Sequence, residues 1–160
     1  MVAKLQYLVI HCTDTRGMRV TPEMIRKWHM DPPPAGRGWD RVGYSDMILR
    51  NGSIINLTPY DDDDYITSDE MTWGAVGYNA IGRHVVLVGG KGSKGKFEDH
   101  FTIAQEDSLV EYVEDTIIRH PDIIIIGHNQ VAKKTCPGFD VYDWLKSHYL
   151  CAFGDKNLRK

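Results

Sequence analysis

Residues 123–128 read IIIIGH. Four β-branched residues in a row, with no polar alternation, predict a strand covered on both faces, the place of a central strand in a helix-flanked sheet. Working outward, Pro121 closes the element before it, and Thr102 with Gln105 three residues on forms a capping box. Glu106, Leu109, Val110, Val113 and Ile117 then follow helical spacing. Further upstream, His84 to Val88 predicts a second buried strand, stopped by Gly89-Gly90 and followed by a Gly/Lys loop from Lys91 to Lys96. At the start of the chain, Leu5 to His11 predicts a third. Downstream, Asp140 to Tyr149 predicts an amphipathic helix and residues 154–160 a frayed tail. Strands alternating with helices give an α/β fold, a single mixed sheet flanked by helices.

The remaining stretches fit that frame. Thr21, Pro22 and Glu23 supply an N-cap, a first-turn proline and a charge suited to the helix dipole. That helix reaches about His29 and stops before Asp31 and the three prolines that follow. Gly36 to Gly43 is a loop holding Trp39. Tyr44 to Arg50, the Asn51-Gly52 turn and Ser53 to Leu57 predict a hairpin. Pro59 to Val76 is polar and irregular. Its acidic run, Asp61 to Asp64, lacks calcium-ligand spacing and is read as a solvated loop. With no internal repeat or linker, residues 1–160 form one domain, with its core at about 5–150.

Composition narrows the function classes. A net charge of -3 over 160 residues does not supply the basic excess of a nucleic-acid binder. No apolar run reaches the roughly eighteen residues of a membrane helix. The N-terminus reads as a strand rather than a signal peptide. Three cysteines, Cys12, Cys136 and Cys151, are too sparse for a disulfide framework and fit synthesis in a reducing compartment.

Two histidines hold equivalent places. His11 ends the first strand and His128 follows the last, where side chains line the crevice beyond strand ends. Cys136 lies eight residues after His128, in a loop closed by Pro137-Gly138. Two imidazoles and a thiolate suit Zn²⁺, and three protein ligands leave a fourth position open, as catalytic sites do. From spacing alone the ordinary reading also stands: a hydrogen-bonded strand-end histidine and a cysteine acting as a small buried hydrophobe.

Several segments occur together and in order: LVIHCTDT (8–15), IRKWH (25–29), GWDRVGYSDMILRNGSI (38–54), GYN (77–79), LVGG (87–90), GKFEDHFTIAQ (95–105) and GHNQVAKKTCPGFD (127–140). This set resembles the phage-type N-acetylmuramoyl-L-alanine amidases, the zinc amidase type 2 family that includes the peptidoglycan recognition proteins. The likeness covers Tyr7 to Lys146. It implies a mixed sheet flanked by helices and hydrolysis of the amide between the lactyl group of N-acetylmuramic acid and L-alanine in peptidoglycan. It also implies one zinc ion held by His11, His128 and Cys136. Tyr44, from the VGY motif, and Lys134, two residues before the cysteine, would be catalytic. Zinc lowers the pKa of a coordinated water to about 7. A fixed ammonium such as Lys134 would stabilise the negative charge of the tetrahedral intermediate. Tyr44 would donate a hydrogen bond to that charge or orient the water. The general base is left open. Without the resemblance, Lys134 is a solvated lysine like Lys133 beside it, and Tyr44 an aromatic at the core edge.

The chain departs from the family in places. The family often has a histidine shortly before GYN, where this chain has Trp73-Gly74-Ala75-Val76, and another after the tyrosine, where this chain has Ser45. His84 stands where relatives tend to have a small residue, and is read as structural rather than groove-facing. His29 is read as a charge favourable at a helix end. His100, His120 and His148 have no partner spacing. Cys12 follows His11 and so points to the opposite, core face. Trp28 is expected in the core. Trp39, Trp73 and Asn79 are candidate substrate contacts. The expected partner is peptidoglycan, with no nucleic acid or membrane, and the expected state is a monomer. A phage or prophage endolysin is expected, made in the cytoplasm and released to the wall. Other readings are a peptidoglycan-binding module without turnover, an exported antibacterial effector, and a structural zinc protein, which would need a fourth ligand.

Overall fold

The computed structural model describes residues 2–16, 19–92 and 94–155. Five strands form the main sheet: β2 (Tyr7–Cys12), β3 (Asp46–Ile48), β4 (Ile54–Asn56), β6 (Gly82–Leu87) and β7 (Ile124–Gly127). Their order is β4-β3-β6-β2-β7, with β4 antiparallel and the other neighbours parallel. A separate antiparallel pair joins β1 (Ala3–Lys4) to β5 (Tyr65–Ile66), a short strand inside the stretch expected to be irregular. Three helices pack on the main sheet: α1 (Pro22–Met30), α2 (Ile103–Arg119) and α3 (Val141–Ser147).

Side-chain alternation divides the sheet into two faces. Leu8, Ile10 and Cys12 of β2 join Val85, Leu87 and Ile125 in a core with Leu109 and Val113 of α2 and Trp144 and Leu145 of α3. Cys12 is therefore a core residue, as its parity requires. The opposite face carries Met47 and Val86 against Ile25 of α1. His11, at the other parity of β2, belongs to this second face.

The helix ends follow local chemistry. Thr21 Oγ1 accepts from Met24 N to start α1. At α2, Thr102 Oγ1 accepts from Gln105 N, and Gln105 Oε1 accepts from Thr102 N, both at 3.1 Å. Gln105 Nε2 also donates to Val88 O at 2.9 Å, tying the helix start to the end of β6. Asp140 caps α3 through Asp143 N.

The structure corrects three expectations. The IIII run is not central: β7 is an edge strand of the main sheet, and β6 takes the middle. Its apolar sequence has another cause. One edge pairs with β2, and the other is bridged by Gly154 at Ile125, so an edge position is still buried. That bridge also removes Gly154 from the expected frayed tail, the rest of which, 156–160, lies outside the described residues. Trp28 is 36% exposed rather than core. His29 takes the inner side of α1, in tilted ring contact with Trp39 and Tyr44, which leaves Trp28 at the margin.

The acidic run is solvent-exposed but not idle. Asp64 Oδ1 lies 2.8 Å from Nδ1 of buried His120, and Asp62 pairs with Arg119, so the run clamps the loop to the end of α2. No helix among the described residues is long and apolar enough to cross a membrane.

Candidate active site

Three side chains meet beyond the C-terminal ends of β2 and β7. His11 projects from β2, His128 follows the last residue of β7, and Cys136 comes from the loop leading to α3. Ile10 is in register with Gly127, which brings His11 and His128 side by side. Their Nδ1 atoms are 3.1 Å apart, and Cys136 Sγ is 3.7 Å from His11 Nδ1. The three donor atoms all lie within 4.8 Å of one another, and no fourth His, Cys or carboxylate joins this group among the described residues. A tetrahedral ion with bonds of about 2.0–2.3 Å sets its ligands roughly 3.3–3.8 Å apart. The two distances from His11 Nδ1 lie close to that range, at 3.1 and 3.7 Å.

The electrostatics agree with metal ligation. Burial, together with the neighbouring His84, His128 and Lys134, holds the His11 pKa well below the usual range. Burial and Lys134 lower His128 to about 4. Both rings are therefore neutral near pH 7 and able to donate lone pairs. Cys136 is raised, first by its hydrogen bond with the Cys12 side chain and then by burial, while the Cys12 backbone N–H and Lys134 favour its thiolate. The Cys12 N–H donates to Cys136 Sγ at 3.2 Å. A bound cation reverses this balance, because a coordinated thiol loses its proton.

The proposed catalytic pair divides by depth. The Tyr44 ring lies 5.2 Å from the His11 ring, and burial raises its phenol pKa, so it stays a protonated donor. Lys134 is exposed, yet its charge is felt at His11, His128 and Cys136. It lines a cleft of about 670 Å³ with Lys94, Asn129 and Thr135, alongside the loop that carries Cys136. Trp39 makes a tilted ring contact with His29, and the Arg37 guanidinium lies over its ring at 5.0 Å. Trp73 is 41% exposed, with Nε1 donating to Asp40 Oδ1. Asn79 commits Oδ1 to Ala75 N at 2.8 Å, which closes its own loop.

The N-acetylmuramoyl-L-alanine amidase pattern matches residues 1–139. The chain belongs to the N-acetylmuramoyl-L-alanine amidase family. The endolysin of Escherichia phage T7 is 34% identical over 146 residues, covering 89% of this chain and 87% of that protein. The endolysin of Enterobacteria phage T3 is 32% identical over 151 residues, covering 92% and 90%. In fold the chain is similar to the N-acetylmuramoyl-L-alanine amidase LysC of Clostridium intestinale, with a TM-score of 0.71, 20% identity and coverage of 92% and 87%. It is also similar to the bumblebee peptidoglycan recognition protein PGRP-SA, with a TM-score of 0.72, 20% identity and coverage of 96% and 85%.

Two histidines of this amidase do what sequence alone did not show. His29 was expected to act as a cation at a helix end. Instead its Nδ1 accepts from Gly43 N at 3.0 Å, and burial with Arg37 lowers its pKa to about 4. It is a neutral acceptor that fixes the residue before Tyr44. His84 is 0% exposed, which excludes a groove-facing role, and its Nδ1 lies 2.9 Å from His11 Nε2. Strand parity puts a histidine at that position on the same face as His11 only once the pairing of β2 and β6 is known.

Proposed function

We propose that this cell-wall amidase is zinc-dependent and holds one ion through His11, His128 and Cys136. The observation that carries the reading is the convergence of the three donor atoms within 4.8 Å, from three separate segments of the chain. Bound zinc would activate a water at neutral pH and polarise the scissile carbonyl. The chain's own groups do the rest. Lys134 places a positive charge at the mouth of the cluster, where negative charge develops on the carbonyl oxygen. Tyr44, protonated and beside His11, is the neutral donor. His29 holds the backbone at Gly43 that positions Tyr44. The substrate is the amide between the lactyl group of N-acetylmuramic acid and L-alanine. Trp39 and Trp73 are candidates to line its approach.

The relatives named endolysin support a phage or prophage endolysin acting on the cell wall. Digestion of purified peptidoglycan, with mass spectrometry of the products, tests the reaction. Free stem peptides beginning with L-alanine and intact glycan strands are expected. New reducing sugar ends without released peptide would overturn it.

A further inference from the structure

The imidazole of His84 is a buried polar group on the His11 side of the sheet that the proposed chemistry does not use. It comes from β6, two residues before Val86, the register partner of His11. Its Nδ1 meets His11 Nε2 at 2.9 Å, on the side of the ring away from Cys136 and His128. The surroundings are shaped around it. A Cβ on Gly74 would lie 2.3 Å from His84 Nδ1, so only glycine leaves room for this ring. His84 Nε2 is buried and has no hydrogen-bond partner among the described residues. A ring kept with one nitrogen unpartnered is badly placed as mere filling, since an apolar side chain would fill the same space without that cost.

We propose that His84 is a positioning residue that locks His11 in the tautomer a metal needs. The inference rests on the zinc reading above. Each ring nitrogen of a neutral imidazole is either a donor or an acceptor, and the hydrogen bond made by one sets the role of the other. With His84 Nδ1 bare, His11 carries its proton on Nε2 and donates it to His84. Nδ1 of His11 is then free of a proton and faces Cys136 and His128. The proton of His84 sits on Nε2, the unpartnered atom. The contact also fixes the plane of the His11 ring, as partners of ligand histidines do in metal sites.

Zinc affinity, measured by competition with a chelator, tests this independently of turnover. His84→Leu keeps the volume and removes the acceptor, so it should weaken zinc binding by about 10- to 100-fold. Its metal-free thermal stability should be unchanged or higher. His84→Asn places Oδ1 near the position of Nδ1 and should restore most of the affinity. Equal zinc affinity in wild type and His84→Leu overturns the inference, as does equal loss in the Leu and Asn variants. Long-range proton–nitrogen NMR of the zinc-loaded wild type needs no variant. A proton on His11 Nε2 and a bare His84 Nδ1 are expected, and the reverse arrangement overturns it. A wild type that takes up no zinc overturns the metal centre, and this inference with it.

Discussion

Cys136 and Lys134 are two residues apart, and their proposed roles are separable by experiment. The thiol is partly buried and touches both His11 and the Cys12 backbone, so Cys136→Ser should remove most bound zinc while leaving the sheet intact. Metal analysis of protein purified without added zinc checks this, and equal zinc in both forms would remove Cys136 from the ligand set. Lys134 reaches the same cluster only through its charge. A charge that matters when the oxyanion forms affects the transition state rather than ground-state binding. Lys134→Ala should therefore lower kcat by about a hundred- to a thousand-fold, the loss typical of a removed oxyanion donor. Zinc content and wall binding should stay near normal. Lys133→Ala is the control, since Lys133 is not among the charges felt at the cluster. Equal loss in the two variants would make Lys134 a solvated neighbour.

Among the elements, α2 shows how local sequence and tertiary contact combine. Thr102 and Gln105 form the box that the sequence announces, but Gln105 also anchors β6 through Val88 O, which no helix rule foresees. Thr102→Ala should cost about 1 kcal/mol, the usual worth of an N-cap, read from the denaturant midpoint. The loop before β6 is governed by space. Gly74→Ala would set a methyl 2.3 Å from His84 Nδ1 and 2.7 Å from Gly43 O. Strain of about 1–3 kcal/mol is expected from such overpacking. An unchanged unfolding midpoint would show that the loop yields instead.

At the scale of the whole molecule, the histidines of the site make stability pH-dependent. His29 and His128 have folded pKa values near 4, and burial takes His84 to about 3, all below the unfolded value of about 6.5. A depressed histidine pKa means that the unfolded chain binds protons first. Its contribution to stability is complete above about pH 6.5 and is lost as pH falls toward 4. The metal-free protein should therefore melt at progressively lower temperature over that window. Zinc should raise the melting temperature near pH 7 and lose its effect as protons compete for the ligands. A flat melting temperature between pH 6.5 and 4 would show that these rings are hydrated and free to charge.

Much of this protein is local, and so legible in one dimension. The strand runs of β2, β6 and β7, the caps of α1 and α2, and the Asn51-Gly52 hairpin all depend on residues close in sequence. The motif set around His11, His128 and Cys136 pointed to three residues that the fold does bring together, because they sit at strand ends and in one short loop. Strand order is not local. The four isoleucines at 123–126 read as a central strand because burial is what apolar sequence records. Burial comes instead at a sheet edge, from packing against the helices and from a bridge to Gly154, a residue distant in the chain. The roles of His29 and His84 also needed the third dimension. A histidine's charge and tautomer are set by what each nitrogen meets, and those partners, Gly43 and His11, are brought within reach only by the packing of α1 and the pairing of β2 with β6.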